Sequence, residues 1–263
     1  MAVIFFFYHK VAPPELATAQ PVRAVKSWLG TSLPMGMTEG LRLLQGQLGL
    51  LLAGALAGTA QAGLYRVADA VAAVTALFVS VAGTAATPMF GRLWKAGDRA
   101  GLERVTLLAS LGMTGGTFLL GLPIVLAGKF ILPFVFGAQF GQSYGPFLIL
   151  WGGIVCASMF GQAFGLANMI GRHVLATQSF AVIAVINVIV ATALIPRHGA
   201  SGAAVATVCG NLAGVLYCAS RLWREERLNP GLFTPRTLRL LLELAHFGSA
   251  ASTPNPAQEI NRR

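Results

Sequence analysis

Residues 105–128 read VTLLASLGMTGGTFLLGLPIVLAG, 24 positions without one ionisable side chain, bounded by Arg104 and Lys129. A helix rises 1.5 Å per residue, so roughly 20 apolar residues cross the ~30 Å hydrocarbon core of a bilayer. The run is too long and too uniformly apolar for a barrel strand, whose residues alternate in polarity. Lipid offers no water to the backbone, so a helix that satisfies its own hydrogen bonds is what this stretch predicts.

Working outward, the same pattern recurs at residues 33–58, 65–90, 145–168, 173–195 and 201–221, with the quoted run counted as 104–128. The fold class predicted is therefore an all-α integral membrane protein with six transmembrane helices. Composition agrees: 55% of residues are hydrophobic and 11% charged, against about 25% charged in soluble domains. Residues 28–227 are taken up by the six spans, which leaves no room for a soluble domain. Residues 1–27 read as the end of a preceding helix (Met1–Tyr8) and a cytoplasmic linker holding Pro13, Pro14 and Pro21. Residues 228–263 read as a cytoplasmic tail. In it a short amphipathic helix opens at Thr234-Pro235 and places Leu238, Leu241, Leu242 and Ala245 on one face, and the end is disordered.

The net charge of +10 is distributed by topology. Basic residues gather at Arg23/Lys26, at Arg92/Lys95/Arg99/Arg104, at Arg172 and at Arg221/Arg224/Arg227, before span one and after spans two, four and six. The alternate loops carry only Lys129 and Arg197. The positive-inside rule then puts both termini in the cytoplasm, and a nucleic-acid partner is not expected. Met1–Tyr8 lacks the basic leader and small-residue cleavage site of a signal peptide. Cys156, Cys209 and Cys218 fall within spans at spacings that match no metal or redox motif.

Ionisable groups inside a membrane cost about 2.5–3.5 kcal/mol each on insertion scales, so they normally meet a partner or a polar cavity. Span one carries Glu39 and Arg42, then Gln45 and Gln47; span two opens with Arg66 and Asp69 and continues with Ser80, Thr84 and Thr87. These residues support two expectations. In one, the two helices line a hydrophilic cavity, with Arg42, Gln45 and Arg66 facing an anionic ligand and Glu39 or Asp69 as charge partner or coupling group. In the other, each pair neutralises itself near a membrane surface and the arginines snorkel. Ser158, Gln162, Asn187 and Asn211 read as interhelical hydrogen-bonding residues. Glycine pairs at four-residue spacing, Gly54/Gly58, Gly112/Gly116, Gly161/Gly165 and Gly210/Gly214, predict close helix contacts. An enzyme is not expected. Asp69 and Asp98 are the only aspartates, the four histidines are scattered, and no phosphate-binding glycine loop, metal or cofactor site is legible.

The order of short motifs resembles the second half of bacterial polysaccharide flippases, the O-antigen and exopolysaccharide exporters of the multidrug/oligosaccharidyl-lipid/polysaccharide superfamily. Trp28 and Ser32-Leu33-Pro34 precede Ala62-Gly63-Leu64-Tyr65-Arg66-Val67-Ala68, followed by Thr87-Pro88 and Gly97-Asp98. Leu132-Pro133-Phe134-Val135-Phe136-Gly137, Tyr144, Leu148-Ile149-Leu150 and Asn187 come next. Ile195-Pro196, Gly199, Gly202-Ala203-Ala204 and Ala206-Thr207 complete the order over about residues 25–225. Such proteins have two six-helix lobes around a cavity. The resemblance therefore implies one lobe, the carboxy-terminal one, of a two-lobed transporter in the bacterial cytoplasmic (inner) membrane. Its implied substrate is an undecaprenyl-diphosphate-linked oligosaccharide, flipped to the outer leaflet, with Arg42 and Arg66 placed to attract the diphosphate. The implied partners are membrane lipids and either the missing amino-terminal lobe or a second copy of the chain. The alternative is a truncated remnant or a non-transporting membrane interaction subunit.

Overall fold

The computed structural model describes residues 25–160 and 162–226. The chain divides into two compact units, Met1–Met37 and Thr38–Arg263. Of the first, residues 25–37 are helical; the second holds the remainder of the described helices. The predicted leading helix at Met1–Tyr8, most of the 1–27 linker and the amphipathic helix after Thr234 lie outside the described residues.

The described residues form helices and short turns, with no strand among them. In chain order they are α1 (Val25–Thr75), α2 (Leu77–Lys95), α3 (Arg99–Phe136), a 3-10 turn (Ala138–Ser143), α4 (Tyr144–Ser158), α5 (Ala163–Met169) and α6 (His173–Glu226). Three stretches are long and apolar enough to cross a membrane: Glu39–Thr75, Arg99–Phe136 and His173–Glu226. A bent pair, Ala138–Ser158 with Ala163–Met169 at 44°, makes a fourth if counted as one span. This is a membrane-embedded, all-α chain.

Two of those helices reverse direction inside. Gly58 in α1 has φ 83° and ψ 172°, and Gly199 in α6 has φ 53° and ψ −127°. Glycine alone adopts such angles without steric cost, so the chain turns there without a loop. Beyond Gly58 the helix returns along itself. A Cβ on Gly54 would lie 3.7 Å from that of Ala62, and the Tyr65 hydroxyl lies against Gly49. Beyond Gly199, Gly202 lies against the Leu194 carbonyl, Gly210 against Ile183 and Asn187, and Gly214 against Ser179 and Ile183. The remaining left-handed glycines, Gly97, Gly137 and Gly171, stand at the other helix junctions. Together the five divide the helical chain into six runs: 25–57, 59–95, 99–136, 138–169, 173–198 and 200–226.

These runs differ in detail from the expected spans. The second starts directly after Gly58 and is interrupted only at Ala76, which stays in the helical region (φ −76°, ψ −4°). The third is a single helix of 38 residues that contains both Pro123 and Pro133, so Phe130–Phe136 extends it. The fourth is broken between Ser158 and Ala163. Of the glycine pairs, Gly210/Gly214 forms the expected close helix contact. Gly58 is a turn, Gly112 faces open space, Gly116 abuts the Phe78 ring and Gly161 lies outside the described residues.

Two apolar clusters hold the bundle. One is rich in alanine (Ala53, Ala68, Ala72, Ala191, Ala203, Ala204 and Ala206) around Tyr65, Phe147 and Leu150, and lets both halves of α1, α4 and both halves of α6 approach closely. The other, at the opposite end, uses larger side chains: Phe90, Leu102, Leu166, Leu175 and Leu222. That second end also gathers Arg92, Lys95, Arg99, Arg104, Arg172, Arg221 and Arg224. Arg99 donates to the Glu226 carbonyl (3.3 Å), and Arg172 pairs with Glu226 (2.7 Å) and Glu225 (3.5 Å). The Glu226 carboxylate holds the Arg172 guanidinium above its ordinary pKa. At the far end, Ala200 N donates to Gln61 Oε1 (2.9 Å), joining the two hairpin turns, and Lys129 lies 5.8 Å from the centre of the Tyr144 ring.

A Cβ on Gly202 would meet the Leu194 carbonyl oxygen at 2.6 Å, and one on Gly210 the Ile183 carbonyl oxygen at 2.8 Å. Gly202→Ala and Gly210→Ala are expected to cost about 1–3 kcal/mol by overpacking, seen as a lower Tm in detergent. Gly112→Ala, with nothing within 4 Å, is expected to be neutral or stabilising by up to about 1 kcal/mol.

Candidate functional site

Arg42, on the outgoing half of α1, donates from Nε to Glu39 Oε2 at 2.8 Å; their side chains are 54% and 61% exposed. Arg66, on the returning half, lies 3.4 Å from Asp69 Oδ2, with exposures of 57% and 36%. Both pairs follow from i,i+3 spacing, which puts the groups on one helix face. Each arginine therefore carries its own counter-ion, and neither is drawn into the core. Screening by solvent or headgroups keeps such exposed pairs weak. What matters is their position, on the outer face of α1.

Gln45, expected beside a ligand, donates its amide to Asn211 Oδ1 at 2.9 Å and ties α1 to the last half of α6. A second tie, not foreseen, joins Tyr65 Oη and Thr207 Oγ1, which share a hydrogen bond at 3.0 Å. Tyr65 is 3% exposed. These two residues belong to motifs 142 positions apart in the chain, and the alanine cluster is what brings their helices together. Asn211 and Ser158 make the interhelical bonds expected of them, Ser158 with Thr114 at 2.9 Å, and the Gln162 amide reaches Met113 Sδ at 3.9 Å. Asn187 does not. It is fully buried and neither amide atom has a hydrogen-bond partner among the described residues.

The exposed polar residues are unevenly placed. Gln47, Arg66, Ser80 and Thr84 are exposed on α1 and α2, interleaved with exposed apolar residues such as Leu43, Leu51, Val74, Leu77 and Val81. Arg66, Ala73, Leu77 and Thr84 fall on one helical face, with Ser80 beside it. The exposed positions of α3 between Arg104 and Lys129 are instead apolar, among them Leu108, Phe118, Leu119, Leu122 and Leu126. On the first half of α6 they are chiefly Val174, Val185, Val188 and Ile189. Lipid tails suit the second kind of surface; the first needs water or a partner. Among the described residues no three His, Cys, Asp or Glu side chains converge as a metal site. Comparison of the chain with protein-family models, with curated proteins and with solved structures found no match in any of the three.

Gln45→Leu and Asn211→Leu are each expected to lower stability, with a coupling energy of about 0.6 kcal/mol and at most about 1.7 in a double-mutant cycle. Asn187→Leu, which removes an unsatisfied buried amide, is expected to leave Tm unchanged or raise it. A loss comparable to that of Asn211→Leu would show that Asn187 has a partner.

Proposed function

We propose that this chain is the carboxy-terminal lobe of a transporter that flips an undecaprenyl-diphosphate-linked oligosaccharide across the bacterial cytoplasmic membrane, rather than an enzyme. The observation that carries the proposal is that α1 and α2 expose Gln47, Arg66, Ser80 and Thr84 among apolar side chains, whereas every exposed position of α3 between Arg104 and Lys129 is apolar. Polar groups at that depth are stable where they border a water-filled cavity shared with an opposing lobe. The ordered motifs from Ser32 to Thr207 support the same family assignment. The six runs between left-handed glycines are then six spans. The end that collects most of the arginines faces the cytoplasm, and so do both termini. Arg42 and Arg66 attract the diphosphate at opposite depths of the cavity, and substrate entry exchanges Glu39 and Asp69 for phosphate oxygens. An opposing lobe, or a second copy of the chain, supplies the other wall needed for alternating access.

A second reading, a non-transporting membrane subunit, draws on one specific finding. Both arginines are self-paired, and the Thr84 hydroxyl donates to the Ser80 carbonyl of its own helix (2.9 Å), so none of these groups requires a ligand.

The two separate in a flippase-deficient strain that expresses this chain with and without a first lobe. Surface glycan is expected to return when both are present. The double change Arg66→Gln/Asp69→Asn deletes the pair without stranding a charge, and is expected to lower export at least about tenfold, the equivalent of about 1.4 kcal/mol. Absence of rescue in both conditions contradicts the transporter; rescue that survives the double change removes Arg66 from the cavity.

A further inference from the structure

The basic end of the bundle has more charge than the fold consumes. Glu225 and Glu226 are held by Arg172 and Arg221, the latter at 2.7 Å from Glu225. Asp98 accepts from the Gly101 amide at 2.8 Å as the cap of α3. Arg92 and Lys95 are exposed one turn apart at the end of α2 and pair with no carboxylate among the described residues. Between them is Trp94, half-buried, which lines a half-open cavity of about 230 Å³ with Leu93, Gly97, Asp98, Arg99 and Leu102. Because Asp98 already occupies the α3 amides, any attraction for an anion comes from the side chains.

We infer that this depression between α2 and α3 is a binding site for the headgroup of an anionic phospholipid from the leaflet at the basic end. The inference rests on the reading of the chain as membrane-embedded. Three features commit the site to a lipid. Arg92 and Lys95 have no carboxylate partner among the described residues. Trp94 combines an apolar ring with an N–H donor, the amphipathic character that places tryptophan at the headgroup level. The floor of the cavity, Leu93 and Leu102, is apolar and continues into the Phe90–Leu222 cluster, which matches the glycerol and upper acyl region below a phosphate. Arg99 is the cation in the cavity lining and is anchored through the Glu226 carbonyl. Arg92 and Lys95, next to the lining residues Leu93 and Trp94 in sequence, add positive charge near its mouth, and Asp98 in the lining is engaged as the cap of α3. The site joins the α2–α3 turn to the end of α6, so a bound lipid steadies three helix ends at once.

The full chain, purified in a neutral detergent and placed in nanodiscs of phosphatidylcholine with or without phosphatidylglycerol, tests this directly by native mass spectrometry and thermal unfolding. Retained phosphatidylglycerol adducts and a higher Tm than in phosphatidylcholine alone are expected. Arg92→Gln and Lys95→Gln are each expected to weaken retention about fivefold, the effect of ~1 kcal/mol per surface charge, while Arg92→Lys restores it. Lys129→Gln and Arg197→Gln, at the far end, leave it unchanged. Equal retention of both lipids, or retention indifferent to Arg92→Gln/Lys95→Gln, overturns the site. Full competition by inorganic phosphate shows a free-anion site and overturns the lipid assignment. A chain that fails to enter phosphatidylcholine nanodiscs overturns the membrane reading as well, an outcome distinct from insertion without lipid preference.

Discussion

Every feature of this chain depends on the need of backbone N–H and C=O groups to find hydrogen bonds where water is absent. Helices answer it along their length, and the difficulty passes to the places where direction changes. Five glycines with left-handed backbone solve it there. At Gly58 and Gly199 the solution is tight enough that helical hydrogen bonding runs almost without interruption from one arm of the hairpin to the other. Gln61 finishes the job at the far end by accepting from the Ala200 amide, so that one side chain serves both turns.

Packing then separates the two ends of the molecule. Around the hairpin turns, alanine and glycine let backbones approach, and specificity comes from single polar ties, Gln45–Asn211 and Tyr65–Thr207. At the basic end the core includes bulkier residues such as Phe90 and Leu222, and Arg172, Arg221, Glu225 and Glu226 form an ion network. On the surface left over, α1 and α2 expose Gln47, Arg66, Ser80 and Thr84 among apolar side chains.

The all-helical, membrane-embedded class was legible in the sequence because span length and apolar composition are one-dimensional signals. The 105–128 run needed no tertiary information. Boundaries were less legible: the third span was expected at 104–128, yet its helix runs on through Pro133 to Phe136, since proline is tolerated in membrane helices where neighbours satisfy the freed carbonyls. Gly58 read as one member of a packing pair because spacing alone does not distinguish a glycine that packs from one that turns. Of the candidate site, the residues and their pairing options were visible, but which option the fold chose was not. Gln45 pairs with Asn211 because α1 returns beside the end of α6, a neighbour 166 residues away. Asn187 shows the reverse case, a buried residue whose amide finds no partner among the described residues.

The central claim is that the exposed face of α1 and α2 borders water within the membrane while that of α3 borders lipid. Single cysteines in place of Ser80, Thr84, Leu119 and Leu126, in a background with Cys156, Cys209 and Cys218 replaced, report it through labelling by a membrane-impermeant maleimide in intact cells and inverted vesicles. The account predicts labelling at positions 80 and 84 from at least one side, and none at 119 or 126. Protection of positions 80 and 84 equal to that of 119 and 126 would contradict it.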